Sequence, residues 1–213
     1  MDVRSAPAAP ALVVSILGLK KSGKTTVASA LIAALRARGY RVAALKKIHL
    51  HRLSLDPRGT DSFRLAEAGA LFVAARSQEE TLTVHREPQP DDLEALLALV
   101  PPAMQIVVAE GASGPQARVV LCLRAADRLE ETLRVRGVRT AQLVALSGVF
   151  AGDPQAAASL HFGAAKGLPP AFNVLEAEER EALCERLLAA ASHPRPAAEP
   201  GGPLVADSAW RPE

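Results

Sequence analysis

The chain has 213 residues, 49% of them hydrophobic, which is enough for one α/β domain with a sizeable core. Its 25 basic and 23 acidic side chains leave a net charge of +2, and aromatic residues make up 3% of the chain, a composition that argues against a nucleic-acid-binding protein. No apolar stretch reaches the ~20 residues that cross a bilayer, and Cys122 and Cys184 have the spacing of neither a metal site nor a disulfide framework, so we expect a cytoplasmic protein with reduced thiols.

The first elements of the chain surround a glycine-rich motif. Residues 1–10 predict a flexible arm, and the apolar, β-branched run at 11–17 predicts a buried strand. The residues that follow match the P-loop pattern G-x-x-x-x-G-K-[ST] at every required position; they are Gly18-Leu19-Lys20-Lys21-Ser22-Gly23-Lys24-Thr25. Apolar residues at helical spacing over 26–38 predict a helix that ends at Gly39. The loop therefore lies between a strand and a helix, where phosphate binding needs it.

The chemistry of a P-loop assigns a role to each part of this motif. Its glycines let backbone N–H groups turn toward phosphate oxygens, and the helix N-terminus adds further donors. Lys24 is expected to reach the β- and γ-phosphates, the Thr25 hydroxyl to ligate Mg²⁺, and Thr26 to support the α-phosphate side. The predicted nucleotide-binding residues are Gly18, Lys20, Lys21, Ser22, Gly23, Lys24, Thr25 and Thr26.

The remaining predicted elements alternate between strands and helices. A short helix at 61–68 is capped by Thr60 or Asp61, and a longer one at 90–100 is opened by Pro90. The other predicted helices lie at 129–136, 154–160 and 177–190. The other predicted strands lie at 41–46, 70–75, 81–86, 106–109, 118–123, 142–146 and 171–174. This alternation predicts an α/β fold of the P-loop NTPase type, with a mostly parallel sheet and helices on both faces.

Composition divides the chain into three parts. Residues 1–10 form the predicted arm, and residues 11–191 form one P-loop nucleotide-binding domain. Residues 192–213 are rich in Pro, Ala and Gly, which predicts a disordered tail because such a segment cannot bury enough apolar surface to fold.

A polar stretch after the second strand is the next strongest signal. It concentrates His49, His51, Asp56, Asp61 and Arg64 in a short span. Three interpretations remain open: a solvated loop followed by a capped helix, a carboxylate (Asp61 or Asp56) that approaches Mg²⁺ beside the γ-phosphate, or a transition-metal site at the two histidines. The last has no third ligand at a usable spacing.

Glu110 follows the buried strand at 106–109, the position of the acidic residue that ends a Walker-B strand. It could hold Mg²⁺ through water or orient an attacking water. A carboxylate at the end of a buried strand is costly unless it has a partner, which favours a functional role. The predicted metal ligands are therefore Thr25, Asp61 and Glu110, and the predicted catalytic residues are Glu110 and Asp61.

Together these residues resemble the MobB family, the molybdopterin-guanine dinucleotide biosynthesis adaptors. The family pattern is similar to K-H-x-H-H…D-x-x-G-K-D-S…A-G-A…E-G, and the likeness covers about residues 11–190. The D-x-x-G-x-D-S…A-G-A block is far more specific than the P-loop alone. The matching features are the P-loop with Thr26, Lys46, His49, His51, Asp56-x-x-Gly59-x-Asp61-Ser62, Ala68-Gly69-Ala70 and Glu110-Gly111.

This resemblance implies a GTP-binding protein with weak GTPase activity, often a homodimer. It implies a partner as well, a MobA-type guanylyltransferase, which joins GMP to molybdopterin. Lys24 and Thr25 would hold the phosphates and Mg²⁺, and Asp61 and Glu110 would serve the metal and the hydrolysis. The segment 46–56 would act as a switch-like loop or a partner surface.

The chain departs from the family pattern in several places. Lys47 stands where the family usually has a histidine, and the loop with the two histidines is one residue longer. Ala-Ser follows Gly111, where Phe-Lys is often found. No N-K-x-D motif for guanine is present, and residues 145–148 occupy the place of such a loop. The preference for GTP over ATP therefore rests on the resemblance, and ATP stays an alternative.

A locally basic segment offers a further hypothesis. It could attract molybdopterin, whose phosphate is anionic, or an acidic partner face; ordinary charge at a helix end is the alternative explanation. Its members are Arg36, Arg38, Arg41, Lys46, Lys47, His49, His51 and Arg52.

Two other functions remain open. In a small-molecule kinase, Asp61 and Arg64 would face the γ-phosphate. In a non-enzymatic scaffold, nucleotide would only order a loop for partner docking. For the GTP-binding protein, slow hydrolysis is expected because no obvious arginine finger is placed in cis, and such a finger is worth several orders of magnitude. Arg64 is the one nearby candidate.

Overall fold

The computed structural model describes residues 10–48, 58–86, 90, 92–157 and 167–191. These residues fall into two compact units, divided at Lys47/Ile48 and at Asp91/Asp92. The second unit lies between these two boundaries, at 48–91, and the first unit consists of the residues before and after it. The predicted boundaries of the arm, the domain and the tail stay predictions.

The strands of the described residues are β1 Leu12–Gly18, β2 Val42–Lys46, β3 Phe72–Arg76, β4 Thr81–His85, β5 Ile106–Glu110, β6 Arg118–Cys122 and β7 Leu143–Ser147. Those of the first unit form one parallel sheet in the order β2-β5-β1-β6-β7. In this order β1 is central, and β5 and β6 flank it on opposite sides. The carboxyl ends of β1, β5 and β6 thus meet at one edge of the sheet, which is where ligands of such sheets bind.

Helices cover both faces of this sheet. They are α1 Lys24–Ala37, α3 Leu93–Leu97, α4 Leu129–Arg136 and α5 Ala177–Ala189, while α2 Asp61–Glu67 belongs to the second unit. Leu12, Val14 and Ile16 of β1 share a buried cluster with residues of α1 and α5. Val13 shares a cluster with Leu93 of α3 on the other face. Side chains that alternate along the strand therefore form a core on each face, which confirms the predicted fold class.

The second unit contains α2 and an antiparallel pair of strands, β3 and β4. The Thr60 side chain accepts a 3.2 Å hydrogen bond from the Phe63 backbone N–H, so Thr60 caps α2 and Asp61 is its first residue. Phe72 and His85 face each other across the strand pair, with ring centroids 4.7 Å apart. Leu65, Leu71 and Phe72 leave more than half of their surface exposed.

Three predicted elements need correction or completion. The strand predicted at 171–174 is wrong: Ala171 makes an isolated bridge to Leu146, and the two prolines just before it cannot donate to a ladder. The helix predicted at 90–100 covers Leu93–Leu97, because Asp92 caps it through a 2.8 Å bond from the Ala95 N–H. The helix predicted at 154–160 is observed over 154–157, and its remainder lies outside the described residues. Within the described ranges, no helix is both long and apolar enough to cross a membrane.

Candidate nucleotide-binding site

The P-loop backbone takes up the tight conformation that phosphate binding requires. Gly23 has φ 86° immediately before α1, and Lys21 has φ 62°, the one positive φ of a described non-glycine residue. Such a conformation is strained for a lysine and is found mostly at functional sites. At Gly18, an added Cβ would clash with the Cys122 carbonyl oxygen and the Ser22 hydroxyl. The loop is therefore closely packed against the end of β6, and glycine is required there.

Lys24, the P-loop lysine, is the first residue of α1. Its Nζ donates a 2.7 Å hydrogen bond to the Leu19 carbonyl, which ties the ammonium back to the start of the loop. Burial, followed by the charge of Arg136, lowers the pKa of Lys24 below its ordinary value, while the charge of Glu110 acts in the opposite sense. A nearby anion would compensate for this loss of water and for the neighbouring cation.

The hydroxyl of Thr25 and the carboxylate of Glu110 meet at the carboxyl edge of the sheet. Thr25 donates a 3.0 Å hydrogen bond to Glu110 Oε2. Lys46 Nζ lies 3.4 Å from the other carboxylate oxygen, Oε1. These contacts follow from the sheet, because β5 lies between β1 and β2, and Glu110 is in register with both Ile16 and Lys46. The side chain of Glu110 is 14% exposed, so this carboxylate is largely buried but has partners on both of its oxygens.

The turn after β7 packs against the backbone of the P-loop. The backbone N–H of Val149 donates a 3.2 Å hydrogen bond to the carbonyl of Ser22. An added Cβ at Gly148 would clash with that carbonyl and would lie 2.9 Å from the Leu123 carbonyl. Ser22 is itself buried. The position of the loop therefore depends on a glycine that lies far from it along the chain.

These residues fit a magnesium-bound nucleoside triphosphate. The positive φ at Lys21 and Gly23 gives the loop the tight turn in which backbone N–H groups can face an anion. Thr25 and Glu110 supply a hydroxyl and a carboxylate, the hard oxygen ligands that Mg²⁺ takes beside phosphates. Lys24 supplies a partly desolvated cation. The arrangement can bind phosphate oxygens, hold a divalent ion and orient a water.

Of the predicted site residues, Thr25 and Glu110 are in contact. Lys20 and Lys21 are exposed in the loop, and Thr26 is exposed in the first turn of α1. Asp61 lies in the second unit, where its fully exposed carboxylate is 3.7 Å from Arg64. Its metal-binding and catalytic roles stay predictions. His49, His51 and Asp56 lie outside the described residues.

Three contributions to the site were not predicted from the sequence. Gly148 could have been suspected, because a Ser-Gly pair directly follows a strand. The ion pair of Lys46 was accessible in principle, since both strands end at the same edge of a parallel sheet. Arg136 lowers the pKa of Lys24 through its charge. Its Nε is buried without a hydrogen-bond partner among the described residues. Nothing in the neighbouring sequence indicates this role, because Arg136 is the last residue of an otherwise ordinary charged helix.

A comparison with models of protein families identifies the family of this chain. The family model described as molybdopterin guanine dinucleotide synthesis protein B, MobB, matches residues 13–146, more than half of the chain. The chain belongs to the MobB family. The match begins in β1 and ends in β7, so it includes the P-loop and the Thr25–Glu110 contact.

Individual relatives agree with this family. The chain is 38% identical over 81 residues to the molybdopterin-guanine dinucleotide biosynthesis adapter protein of Haemophilus influenzae, which is 38% of this chain and 45% of that protein. For the protein of the same name from Escherichia coli, identity is 37% over 73 residues, or 34% of this chain and 41% of the relative. The matched regions thus span less than half of the length of these MobB relatives.

The fold is shared over a greater length. The crystal structure of Bacillus subtilis MobB superimposes with a TM-score of 0.60 at 20% identity, and covers 82% of this chain and 97% of that chain. A structure of molybdopterin-guanine biosynthesis protein B gives a TM-score of 0.56 at 21% identity, and covers 84% of this chain and 98% of that chain. The chain therefore has the P-loop NTPase fold of MobB proteins, as predicted.

Proposed function

We propose that this chain is a GTP-binding accessory protein with weak GTPase activity that assists the biosynthesis of molybdopterin-guanine dinucleotide. The observation that supports the proposal is the 3.0 Å contact between Thr25 and Glu110 at the end of the P-loop, since a hydroxyl and a carboxylate beside Lys24 are oxygen donors of the kind that Mg²⁺ takes. The names of the relatives in H. influenzae and E. coli support the choice of pathway.

Each residue of the site has a role in this proposal. The loop backbone from Gly18 to Gly23 and the ammonium of Lys24 bind phosphate oxygens. Thr25 would hold Mg²⁺, which would neutralise negative charge on the phosphates. Glu110 fixes the Thr25 hydroxyl and orients a water. Asp61, from the second unit, is proposed as a further carboxylate on the metal side.

We propose that hydrolysis is slow and that the nucleotide state mainly controls partner binding. Arg136 affects Lys24 electrostatically, but it is partly buried at the end of α4 and acts on the lysine of the free protein. Arg136 therefore does not correspond to an arginine finger that a partner supplies to stabilise the transition state. An adaptor needs a long-lived triphosphate state, and a slow site provides one.

The partners proposed are a MobA-type guanylyltransferase, molybdopterin and a second copy of this chain. Leu65, Leu71 and Phe72 of the second unit each leave more than half of their surface exposed, and burial of such apolar surface would favour a protein contact. The free, buried thiols of Cys122 and Cys184 support the predicted cytoplasmic location.

The proposal is tested with a purified MobA-type guanylyltransferase immobilised on a surface. Capture of the chain is measured with GTP and Mg²⁺, with GDP and Mg²⁺, and without nucleotide, for the unmodified protein and for Lys24→Ala. We expect capture to be strongest with GTP and Mg²⁺, and Lys24→Ala to lose the dependence on nucleotide. Addition of the unmodified protein should also increase the yield of molybdopterin-guanine dinucleotide. Equal capture in every state, together with an unchanged yield, would overturn the proposed function.

A further inference from the structure

The carboxylate of Glu110 has a second partner, Lys46, to which the proposed function gives no role. Lys46 Nζ lies 3.4 Å from Oε1, while Oε2 accepts the hydrogen bond from Thr25. The strands hold this arrangement, because Lys46 ends β2 in register with Glu110, and the backbone N–H of Lys47 donates a 3.0 Å hydrogen bond to the Glu110 carbonyl. One carboxylate thus has a cation on one oxygen and a proposed Mg²⁺ ligand on the other.

Glu110 needs a counter-charge because it is largely buried. Its side chain is 14% exposed, and a carboxylate with so little contact to water is costly unless it is paired. The ammonium of Lys24 is held by the Leu19 carbonyl at 2.7 Å. Lys46 therefore supplies the positive charge that lies against this carboxylate.

The two members of the ion pair differ in their freedom to move. The side chain of Lys46 is 55% exposed, and its ammonium is carried by a flexible four-carbon stem, so it can turn into solvent and regain water. Glu110 is confined, because β5 pairs with β1 on one side and with β2 on the other. An exchange of partners at this carboxylate would therefore move Lys46 and leave Glu110 in place.

Lys46 and a divalent ion would compete for this carboxylate. An ion held by Oε2 and an ammonium held by Oε1 are positive charges on one small group, so they repel each other, and solvent screens the repulsion only in part where the carboxylate is largely buried. Ion pairs near a protein surface are weak, worth no more than roughly fivefold in an equilibrium constant. A doubly charged ion can therefore displace the ammonium.

We propose that Lys46 is a positioning residue of the nucleotide site, whose ammonium holds Glu110 until the carboxylate exchanges it for the Mg²⁺ that accompanies the triphosphate. The inference rests on the proposed nucleotide-binding function and adds the residue that sets how strongly binding depends on Mg²⁺. Because Lys46 neutralises the carboxylate, Glu110 repels an entering triphosphate less. Because Lys46 must leave, Mg²⁺ binds less tightly than it would to an unpaired Glu110.

The test measures the affinity for a radiolabelled, non-hydrolysable GTP analogue by equilibrium dialysis, with saturating Mg²⁺ and with a chelator. The ratio of the two affinities reports the ion that is bound on the protein, because the binding of Mg²⁺ to the free analogue is the same for every variant. In Lys46→Met the affinity should fall with chelator, where the phosphates meet an unpaired carboxylate. With Mg²⁺ the competing ammonium is gone, so the ratio should rise by about threefold or more. Lys46→Arg, which keeps the charge, should retain the ratio of the unmodified protein.

Two controls separate this exchange from general electrostatics. Arg41→Met removes an exposed positive charge just before the other end of β2, and it should leave the ratio unchanged. In Glu110→Gln the carboxylate itself is lost, so the ratio should fall, and the addition of Lys46→Met to this variant should change it no further. Loss of the effect in the double variant would show that Lys46 acts through Glu110.

The possible failures are distinguishable. If Lys46→Met weakens binding equally with Mg²⁺ and with chelator, Lys46 acts on the phosphates and the exchange at Glu110 is overturned. If Lys46→Met leaves both affinities unchanged, or raises the ratio by the same factor when Glu110→Gln is present, the exchange is again overturned. If the unmodified protein binds the GTP analogue under neither condition, the proposed nucleotide-binding function fails, and the role of Lys46 fails with it.

Discussion

The hydroxyl of Thr25 donates a 3.0 Å hydrogen bond to Glu110 Oε2 across 85 positions of the sequence. The contact exists because β5 pairs directly with β1, so that the last residue of one strand lies beside the loop that leaves the other. A P-loop hydroxyl and a strand-end carboxylate, the two oxygen donors that we propose for Mg²⁺, are thereby held together at the carboxyl edge of the sheet.

Removal of the Glu110 charge should separate binding from hydrolysis. In Glu110→Gln the amide can still accept from Thr25 but cannot act as an anion toward a metal or a water. We expect triphosphate binding to persist and single-turnover GTP hydrolysis to fall by roughly 100-fold or more, the scale of a lost general acid–base group. Glu130→Gln is the control for loss of a carboxylate. Unchanged hydrolysis in Glu110→Gln would show that Glu110 has no role in catalysis.

Gly148 should be as important to the loop as the loop's own glycines. An added methyl group would clash with the Ser22 carbonyl, and φ is 100° at this position, so Gly148→Ala must displace the P-loop or the turn. We expect a loss of about 1–3 kcal/mol in the free energy of unfolding and at least tenfold weaker GTP binding, measured by chemical denaturation and calorimetry.

The matched control is Gly152→Ala, where an added Cβ meets nothing within 4 Å. It should change neither stability nor affinity appreciably. Equal behaviour of the two variants would contradict the packing argument.

Lys24 should take up protons when a triphosphate binds under alkaline conditions. Burial and the charge of Arg136 lower its pKa below the ordinary value of 10.5, so the free protein loses this proton at lower pH than a free lysine. Phosphate anions raise the pKa again, and in the interval between the lowered and the raised values binding is accompanied by proton uptake. Calorimetry in two buffers of different ionisation enthalpy measures that uptake.

Arg136→Met tests whether the charge of Arg136 contributes to this proton uptake. It should reduce the proton uptake, because the pKa of Lys24 in the free protein rises when the neighbouring cation is removed. The affinity should change by no more than about fivefold, since partly exposed charge pairs contribute at most ~1 kcal/mol. Identical proton uptake in both proteins would show that Arg136 does not act on Lys24.

The two thiols should be inert in the folded protein. Burial raises the pKa of Cys122 to about 12 and that of Cys184 to about 11, so neither forms appreciable thiolate at mildly alkaline pH. A colorimetric thiol reagent should react with both cysteines only after unfolding. Because these folded-state pKa values are raised, the share of stability that they contribute is lost as pH rises from 9.0 toward 12. Rapid reaction of either thiol in the native protein would contradict the buried placement.

Local sequence was sufficient for the elements that begin the fold. The apolar run before Gly18 and the helical spacing after Lys24 predicted β1 and α1 within two residues of their observed bounds. Glu110 was assigned to the end of a buried strand, and β5 ends there. These predictions depend on residues that are neighbours in the chain, and the periodicities of strands and helices are visible in such windows.

Contacts between distant segments could not be predicted in the same way. Nothing in residues 106–110 shows that β5 lies next to β1, so the Thr25–Glu110 bond required the strand order. Gly148 looked like part of a possible base-reading turn, and its packing under Ser22 is a tertiary effect. The strand predicted at 171–174 failed for a related reason: Ala171 and Phe172 are partly buried and Val174 is buried, but the prolines at 169 and 170 limit the pairing with β7 to one bridge.

The proposed binding of GTP with Mg²⁺ at this P-loop is measured by calorimetric titration of the full chain with GTP and ATP, each with and without Mg²⁺. Lys24→Ala serves as the variant without the phosphate-binding ammonium. We expect Mg²⁺-dependent binding that favours GTP and is lost in Lys24→Ala. Tight binding of ATP over GTP would contradict the assignment of GTP, and equal titration curves for the unmodified protein and Lys24→Ala would contradict the site itself.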